Sequence, residues 1–250
     1  EPSHAQLVRP VRKGAVVTAL RSPSGAFARP VSAVLNPNRD GLVGEFVFGG
    51  DAAASRRNLA QRGKLATVNG APTWSPNWAR FTNTSGQNMD TGVASSMRDM
   101  TVVAVMRSIG GVGEAVMSNG TPLAGFILAH ANHEWRFNNS LNVNPPEAAS
   151  VSLTSGETDF RCGFGWGAFG TVSNLSVGAA GTGFGSNSGS QANGGSRGGQ
   201  NFIVAPDLGV GGLTFDIAYL AIYDRMLTDR ERLEIYQSLR TGLSGRVAIL

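Results

Sequence analysis

The chain has 250 residues and a mass of 26.0 kDa, with 15% charged residues and 34 glycines, about twice the usual glycine share. One cysteine, Cys162, excludes an internal disulfide framework and a multi-cysteine zinc site, and three histidines leave little for a histidine-based metal centre. No apolar run approaches the roughly 20 residues that span a bilayer, so no membrane insertion is expected, and the polar start reads as no signal peptide.

The elements begin with a basic arm. Within residues 1–40, Arg9, Arg12, Lys13, Arg21, Arg29 and Arg39 stand against Glu1 and Asp40 and account for the whole formal charge of +4. A pI near 9.8 therefore describes the arm, not a basic domain. Nucleic-acid readers line up Lys and Arg with stacking aromatics. Phe27 is the only aromatic before residue 41, so the arm is expected to be solvated or partner-docking, with no nucleic acid bound. Residues 14–20 and 25–35 read as two extended segments joined by the turn Ser22-Pro23-Ser24-Gly25. Such a hairpin is marginal alone and needs the main domain or a neighbouring subunit. Asn36 to Gly41 reads as a hinge, which sets the domain boundary at residue 41.

From there short apolar runs alternate with Gly, Asn, Ser and Pro clusters, the pattern of an antiparallel β-sandwich. In 42–48, alternation places Leu42, Phe46 and Phe48 on one face. Residues 101–107 are apolar on both faces, as a central strand requires. Residues 125–130 and 133–137 read as a hairpin around Ala131-Asn132, with His133, Trp135 and Phe137 on one face and Glu134 and Arg136 on the other. Phe160, Cys162, Phe164 and Trp166 share a face opposite Arg161, Gly163 and Gly165. Between Gly178 and Gln200 no apolar periodicity survives, and the stretch reads as a long loop. In 213–224, Leu213, Phe215, Ile217, Tyr219 and Tyr223 fall in alternate register. Thr228 and Glu231 match the capping box of a helix. Leu233, Tyr236 and Leu239 give its apolar stripe, and Gly242 stands at the expected stop.

These runs carry a resemblance. Gly41 to Phe48 resembles the first strand of the concanavalin A-like (laminin-G-like) jelly-roll domains. Gly70-Ala71-Pro72-Thr73-Trp74, with Arg80-Phe81 and Met89-Asp90-Thr91-Gly92 following, resembles their next section. Thr101 to Arg107 resembles a further strand, without its tryptophan. Phe215 to Thr228, running into Glu231, resembles the closing strand and helix. The resemblance covers roughly residues 41–240. It implies an all-β fold: a two-sheet antiparallel jelly roll over 41–250, with one short C-terminal helix and the extended arm 1–40. Lectins, glycoside hydrolases, adhesion modules and virion proteins share that fold, so function must be argued from a site.

Paired carboxylates are the first chemistry to test. Retaining glycosidases need two about 5–5.5 Å apart, and Glu157 and Asp159 are two apart on one face, but the third carboxylate of the family's pattern is missing. A polar turn is the expectation there. Calcium needs six to eight oxygens; Asp51, Asn58 and Asp90 could contribute, without a diagnostic spacing. Cys162, in register with Phe160 and Phe164, is expected to be a buried small hydrophobe rather than a nucleophile served by His130 or His133. Gly181 to Gly185 has no lysine or helix after it and is not a phosphate cradle.

Aromatic platforms remain. Trp78, Trp74 and Trp135, with Asn77 and His133 near them in sequence, are the candidate glycan-binding residues, Trp78 being the one expected to be exposed. The chain therefore reads as non-enzymatic and free of cofactors. It is expected to be a bacteriophage virion protein of the capsid, baseplate or tail fibre. Arm residues Arg9, Arg12, Lys13, Arg21 and Arg29 would dock it on other virion proteins or copies of itself, and a cell-surface glycan is the further expected partner. The alternative is an extracellular carbohydrate-binding module of a bacterial enzyme or adhesin.

Overall fold

The computed structural model describes residues 35–83, 86–118, 123–129, 134–140, 149–152, 159–168, 172–179, 183–190, 200–206 and 212–249. The arm with Arg9, Arg12, Lys13, Arg21 and Arg29 lies outside the described residues, as do His130, His133 and Glu157.

The chain opens with β1 (Leu42–Val47), α1 (Ala52–Ser55), β2 (Thr67–Asn69), β3 (Thr73–Trp74), β4 (Ala79–Thr82) and β5 (Asn88–Ala94). Next come β6 (Asp99–Gly110), β7 (Val112–Ser118), β8 (Leu123–Ala129), β9 (Glu134–Ser140), β10 (Ala149–Ser152) and β11 (Arg161–Ala168). It closes with β12 (Val172–Ala179), β13 (Gly183–Ser190), β14 (Asn201–Val204), β15 (Thr214–Tyr223) and α2 (Asp229–Leu243). One sheet runs β13-β12-β11-β6-β15-β4-β3, with β1 also on β15; the other runs β10-β9-β8-β7-β14-β5-β2. The strand ladders are antiparallel, and the sheets pack as a sandwich of the expected class.

Two cores result, one on each side of the first sheet. Between the sheets lie Phe46, Phe48, Phe81, Met100, Val102, Phe126, Trp135, Phe137, Phe215 and Ile217. On the outer face, Val103, Val105, Phe160, Cys162, Phe164, Tyr219 and Tyr223 meet Ile235, Tyr236, Leu239 and Leu243 of α2. β6 supplies both cores from its two faces, which is why residues 101–107 are apolar throughout. β11 alternates as expected, and its glycine face is what lets the sheets close. A Cβ on Gly163 would lie 2.2 Å from the Trp135 ring, and one on Gly165 would lie 1.9 Å from Phe137.

Several sequence expectations need correction. In β15 the ladder with β6 slips between Ile217 and Tyr219. That bulge falls where β15 exchanges β4 for β1 as its neighbour, and it resets the alternation. Leu213, Phe215 and Ile217 face the inner core, whereas Tyr219 and Tyr223 face outward beneath the helix. A second irregularity between Leu42 and Gly44 sends Leu42 to the outer core, away from Phe46 and Phe48.

The stretch read as a loop after Gly178 contains β13, paired with β12 from Val172↔Ser190 to Ala179↔Gly183. A ladder is made by backbone groups, so small residues that carry no periodicity can still form it. In α2 the capping box is present, with Thr228 Oγ1 accepting from the Glu231 amide at 3.3 Å and Glu231 Oε2 accepting from the Thr228 amide at 2.7 Å. The buried stripe is Arg232, Ile235, Tyr236, Leu239 and Leu243, while Leu233 is 46% exposed. A strict three-residue spacing drifts around a helix of 3.6 residues per turn, so Leu233 leaves the face that Leu239 occupies. Gly242 is not the stop: the helix runs on to Leu243, and a Cβ on Gly242 would lie 2.4 Å from Leu35.

The expected hinge is also fastened. Leu35 and Asn36 are buried. Asn36 Nδ2 donates to the hydroxyls of Tyr219 and Tyr223, Tyr223 donates to the Asn38 carbonyl at 3.1 Å, and Tyr219 donates to Glu45 Oε1 at 2.8 Å. Arg39 completes the chain of contacts as the ion-pair partner of Glu45. Burial pushes both tyrosine hydroxyls well above their ordinary pKa, so they remain neutral donors.

Candidate functional site

The outer face of the first sheet is only part covered by α2. Beyond the helix side, β4, β15 and β6 bring Arg80, Asp216 and Arg107 side by side. Asp216 is directly opposite Arg80 on one neighbour and Arg107 on the other. Phe215 and Ile217 point inward, so period two puts Asp216 outward. Arg80 grips it with both ends of its fork, Nε to Oδ1 at 2.7 Å and Nη2 to Oδ2 at 3.0 Å. Arg107 Nε donates to Oδ2 at 2.8 Å. Asp216 has no exposed surface, whereas the side chains of Arg80 and Arg107 are 36% and 24% exposed. The hydrogen bond to Asp216 raises the Arg80 pKa further.

Trp78 stands over this pair. It ends the turn Ser75-Pro76-Asn77-Trp78, in which the Ser75 amide donates to the Trp78 carbonyl at 2.9 Å, and Pro76 presets the backbone at its second position. Two residues before Arg80, it shares that residue's face of the sheet. The Arg80 and Arg107 guanidinium carbons lie 5.1 and 5.7 Å from its ring centroid, within cation–π range. Arg107 also lies 4.7 Å over the Phe160 ring. Behind the turn, Arg246 Nη2 donates to the carbonyls of Phe48 at 2.7 Å and Pro76 at 3.2 Å. Burial lowers its pKa to about 10.

Of the candidate residues, Trp78 is the one at this surface. It is part exposed, its ring shared with two guanidiniums rather than bare. Asn77 is beside it in the turn, its amide 3.5 Å from Ser75 Oγ. Trp74 packs part-buried against the inner core, edge-on to Phe81 at 6.2 Å. Trp135 does not belong to any surface. It is 5% exposed, edge-on to Phe126 at 5.6 Å and seated on Gly163, so it offers no face to a sugar. An inward residue of a strand in a two-sheet sandwich is core, and here the opposing glycine makes room for an indole.

The other chemistry resolves locally. Asp51 caps α1, its Oδ1 accepting from the Ala54 amide at 2.7 Å. Asn58 accepts from the Glu45 amide and donates to the Val43 carbonyl, both at 3.1 Å. Asp90 accepts from the Gly92 amide at 2.8 Å and from Asn201 Nδ2 at 3.2 Å. Among the described residues no three His, Cys, Asp or Glu side chains gather to hold a metal ion. Asp159 is exposed, and Cys162 is buried in the outer core with its thiol pKa pushed well up by burial. Among the described residues no helix is long and apolar enough to cross a membrane.

No protein-family model matches the chain, and no curated protein matches it. Its fold is similar to solved structures of toxin domains. The binding domain of botulinum neurotoxin DC in complex with SialylT has a TM-score of 0.61 at 9% identity, over 81% of this chain and 52% of that one. The same domain in complex with rat synaptotagmin II has a TM-score of 0.60 at 10% identity, over 80% and 52%. The receptor-binding domain of the botulinum neurotoxin C/D mosaic serotype has a TM-score of 0.56 at 8% identity, over 80% and 52%. The chain thus spans about half the length of these structures. At such identities the likeness is one of fold, a two-sheet β-sandwich.

Proposed function

We propose that this chain is a non-enzymatic binding module of a larger assembly, with the Trp78–Arg80–Arg107 surface as its saccharide-binding site and the segment before residue 35 as its docking device. The observation that carries the reading is a part-exposed aromatic–guanidinium surface on the sheet whose neighbouring part is sealed by α2. Sugar-binding surfaces combine an apolar ring with a few fixed polar groups, and here Asp216 fixes both arginines in place. The fold's likeness to binding domains, one of them solved with SialylT, supports the same reading.

In the fuller form of this proposal the assembly is a bacteriophage virion, with the module a capsid decoration, baseplate or tail-fibre component. A basic segment upstream of a firmly tied Leu35–Asp40 supports it, since such a segment can add to a neighbour by strand pairing. The partners are then virion proteins or copies of this chain, and the mechanism needs no cofactor. The second reading, an extracellular carbohydrate-binding module of a bacterial enzyme or adhesin, is favoured by the toxin-domain likeness.

Light scattering on the full chain and on a chain beginning at Leu35 separates the two. The cut is placed at Leu35 because Leu35 and Asn36 are buried in the sandwich. An oligomeric full chain and a folded monomeric truncation are expected for the virion component. Monomers from both, with glycan binding retained, would leave the carbohydrate-binding module.

A further inference from the structure

Resting on the assignment of the Trp78 surface as the saccharide site, we infer that Arg246 is its positioning residue, fixing from the segment after α2 the turn that aims the Trp78 ring. Two elements hold that turn from behind. The Gly50 amide donates to the Ser75 carbonyl at 2.8 Å. Arg246 Nη2 donates to the Pro76 carbonyl at 3.2 Å and to the Phe48 carbonyl at 2.7 Å, so one nitrogen ties the turn to the chain leaving β1. The approach is close enough to exclude a side chain at Gly49, where φ is +128° and a Cβ would lie 2.5 Å from Nη2 and 2.7 Å from the Pro76 oxygen.

The same segment reaches the other wall of the surface. Ile249 bridges Phe160, and the Phe160 ring lies under Arg107, whose guanidinium also faces Trp78. Its anchorage is separate from the surface it serves. The amides of Arg246 and Val247 donate to the Leu243 carbonyl at 2.7 and 2.9 Å, and Val247 and Ile249 are buried in the outer core with α2. A ring used as a binding platform loses affinity when it must be ordered at the moment of binding. A turn held from a sealed core removes that cost, and Arg246 is the side chain that joins the two.

The test reads the order of the ring directly, as the heteronuclear NOE of the Trp78 indole N–H in the full chain, with the buried Trp135 as internal control. Binding is measured beside it on an array of neutral and sialylated oligosaccharides. Arg246→Met keeps the apolar stem and removes the donors. It should lower the Trp78 NOE, leave that of Trp135 unchanged, and weaken binding of the oligosaccharides that the wild type holds by about tenfold. Arg246→Lys is one atom shorter and lacks the fork. It should move both readouts in the same direction by less, and it is read alone should Arg246→Met fail to fold. An arginine that only stabilises the fold would lower the melting temperature and leave the Trp78 NOE where it is. That result in a folded variant, or unchanged affinity, overturns the inference and leaves the saccharide site standing. If Trp78 loosens in the variants but the wild type binds none of the arrayed oligosaccharides, the saccharide reading falls and Arg246 stands as the residue that positions the turn. A Trp78 ring equally ordered in every variant, with no oligosaccharide bound, removes both.

Discussion

The outer face of the first sheet has two regions built from the same strands. Beneath α2, β6 and β15 present Val103, Val105, Ala218, Tyr219, Ala221 and Tyr223, and the helix and Leu35 close over them. A few residues away the same strands present Arg107 and Asp216, and among the described residues no helix covers them. Polar groups exist in both regions but are handled differently. Under the helix, neutral tyrosines and an asparagine tie down Leu35–Asp40, and the buried ions Glu45 and Arg232 are paired with Arg39 and Asp229. In the open region they are ions: a fully buried Asp216 carboxylate gripped by two arginines whose side chains stay part exposed. Burying an ion is expensive unless it is paired, so a charged triad belongs where it can stay part exposed. The difference places stability in the covered region, and the proposed function assigns recognition to the other.

Substitutions that break this division rank by size. Asp216→Ala should be the most damaging, because it leaves two arginines on either side of β15 with the carboxylate between them gone. A loss of about 3 kcal/mol is expected, measured by urea unfolding. The division is sharpened by Leu239→Ala against Leu233→Ala on the same helix. The buried leucine should cost about 2–4 kcal/mol and the exposed one within about 0.5 kcal/mol. Gly165→Ala tests the junction of the sheets, where the new methyl meets Phe137, at about 1–3 kcal/mol by thermal melting.

Smaller effects concern the covered region. Tyr223→Phe removes the hydroxyl that holds Asn36 and Asn38 and should cost about 1 kcal/mol. It should leave ligand binding untouched. At the helix start, Arg225 and the Thr228 cap hold the Glu231 carboxyl well below its ordinary value. A depressed carboxylate stabilises fully above its unfolded pKa of about 4.3, and that contribution is lost as pH falls through the depressed folded-state value. Melting curves from pH 6 to pH 2 should therefore fall less steeply for Glu231→Gln than for the wild type.

How much of this was legible in the sequence follows from what each signal depends on. Alternation and the capping box are local, and they located β6, β9, β11 and the start of α2. Bulges are set by where a strand changes neighbours, so nothing in 213–224 itself announces that Tyr219 turns outward. The glycine-rich β13 was hidden because a backbone ladder leaves no side-chain period to read. At the candidate site, the Ser-Pro-Asn-Trp turn singles out Trp78 as a surface residue. Arg80, Arg107, Asp216 and Arg246 were missed. A usable signal was present: Asp216 is a lone charge inside the longest apolar run, and Arg107 ends another such run. A charge in a central strand demands a partner, but which strand supplies it depends on sheet order. Trp135 was misplaced for the same reason, since an inward tryptophan and a platform tryptophan look alike until the opposing Gly163 is known.

The central claim is that the open region binds and the covered region does not. Glycan-array binding of the full chain, with Trp78→Ala and Tyr223→Phe measured beside it, tests that claim most directly. The account predicts that the wild type and Tyr223→Phe bind the same glycans and that Trp78→Ala loses them. Binding that survives Trp78→Ala, or that Tyr223→Phe removes while the protein stays folded, would contradict it.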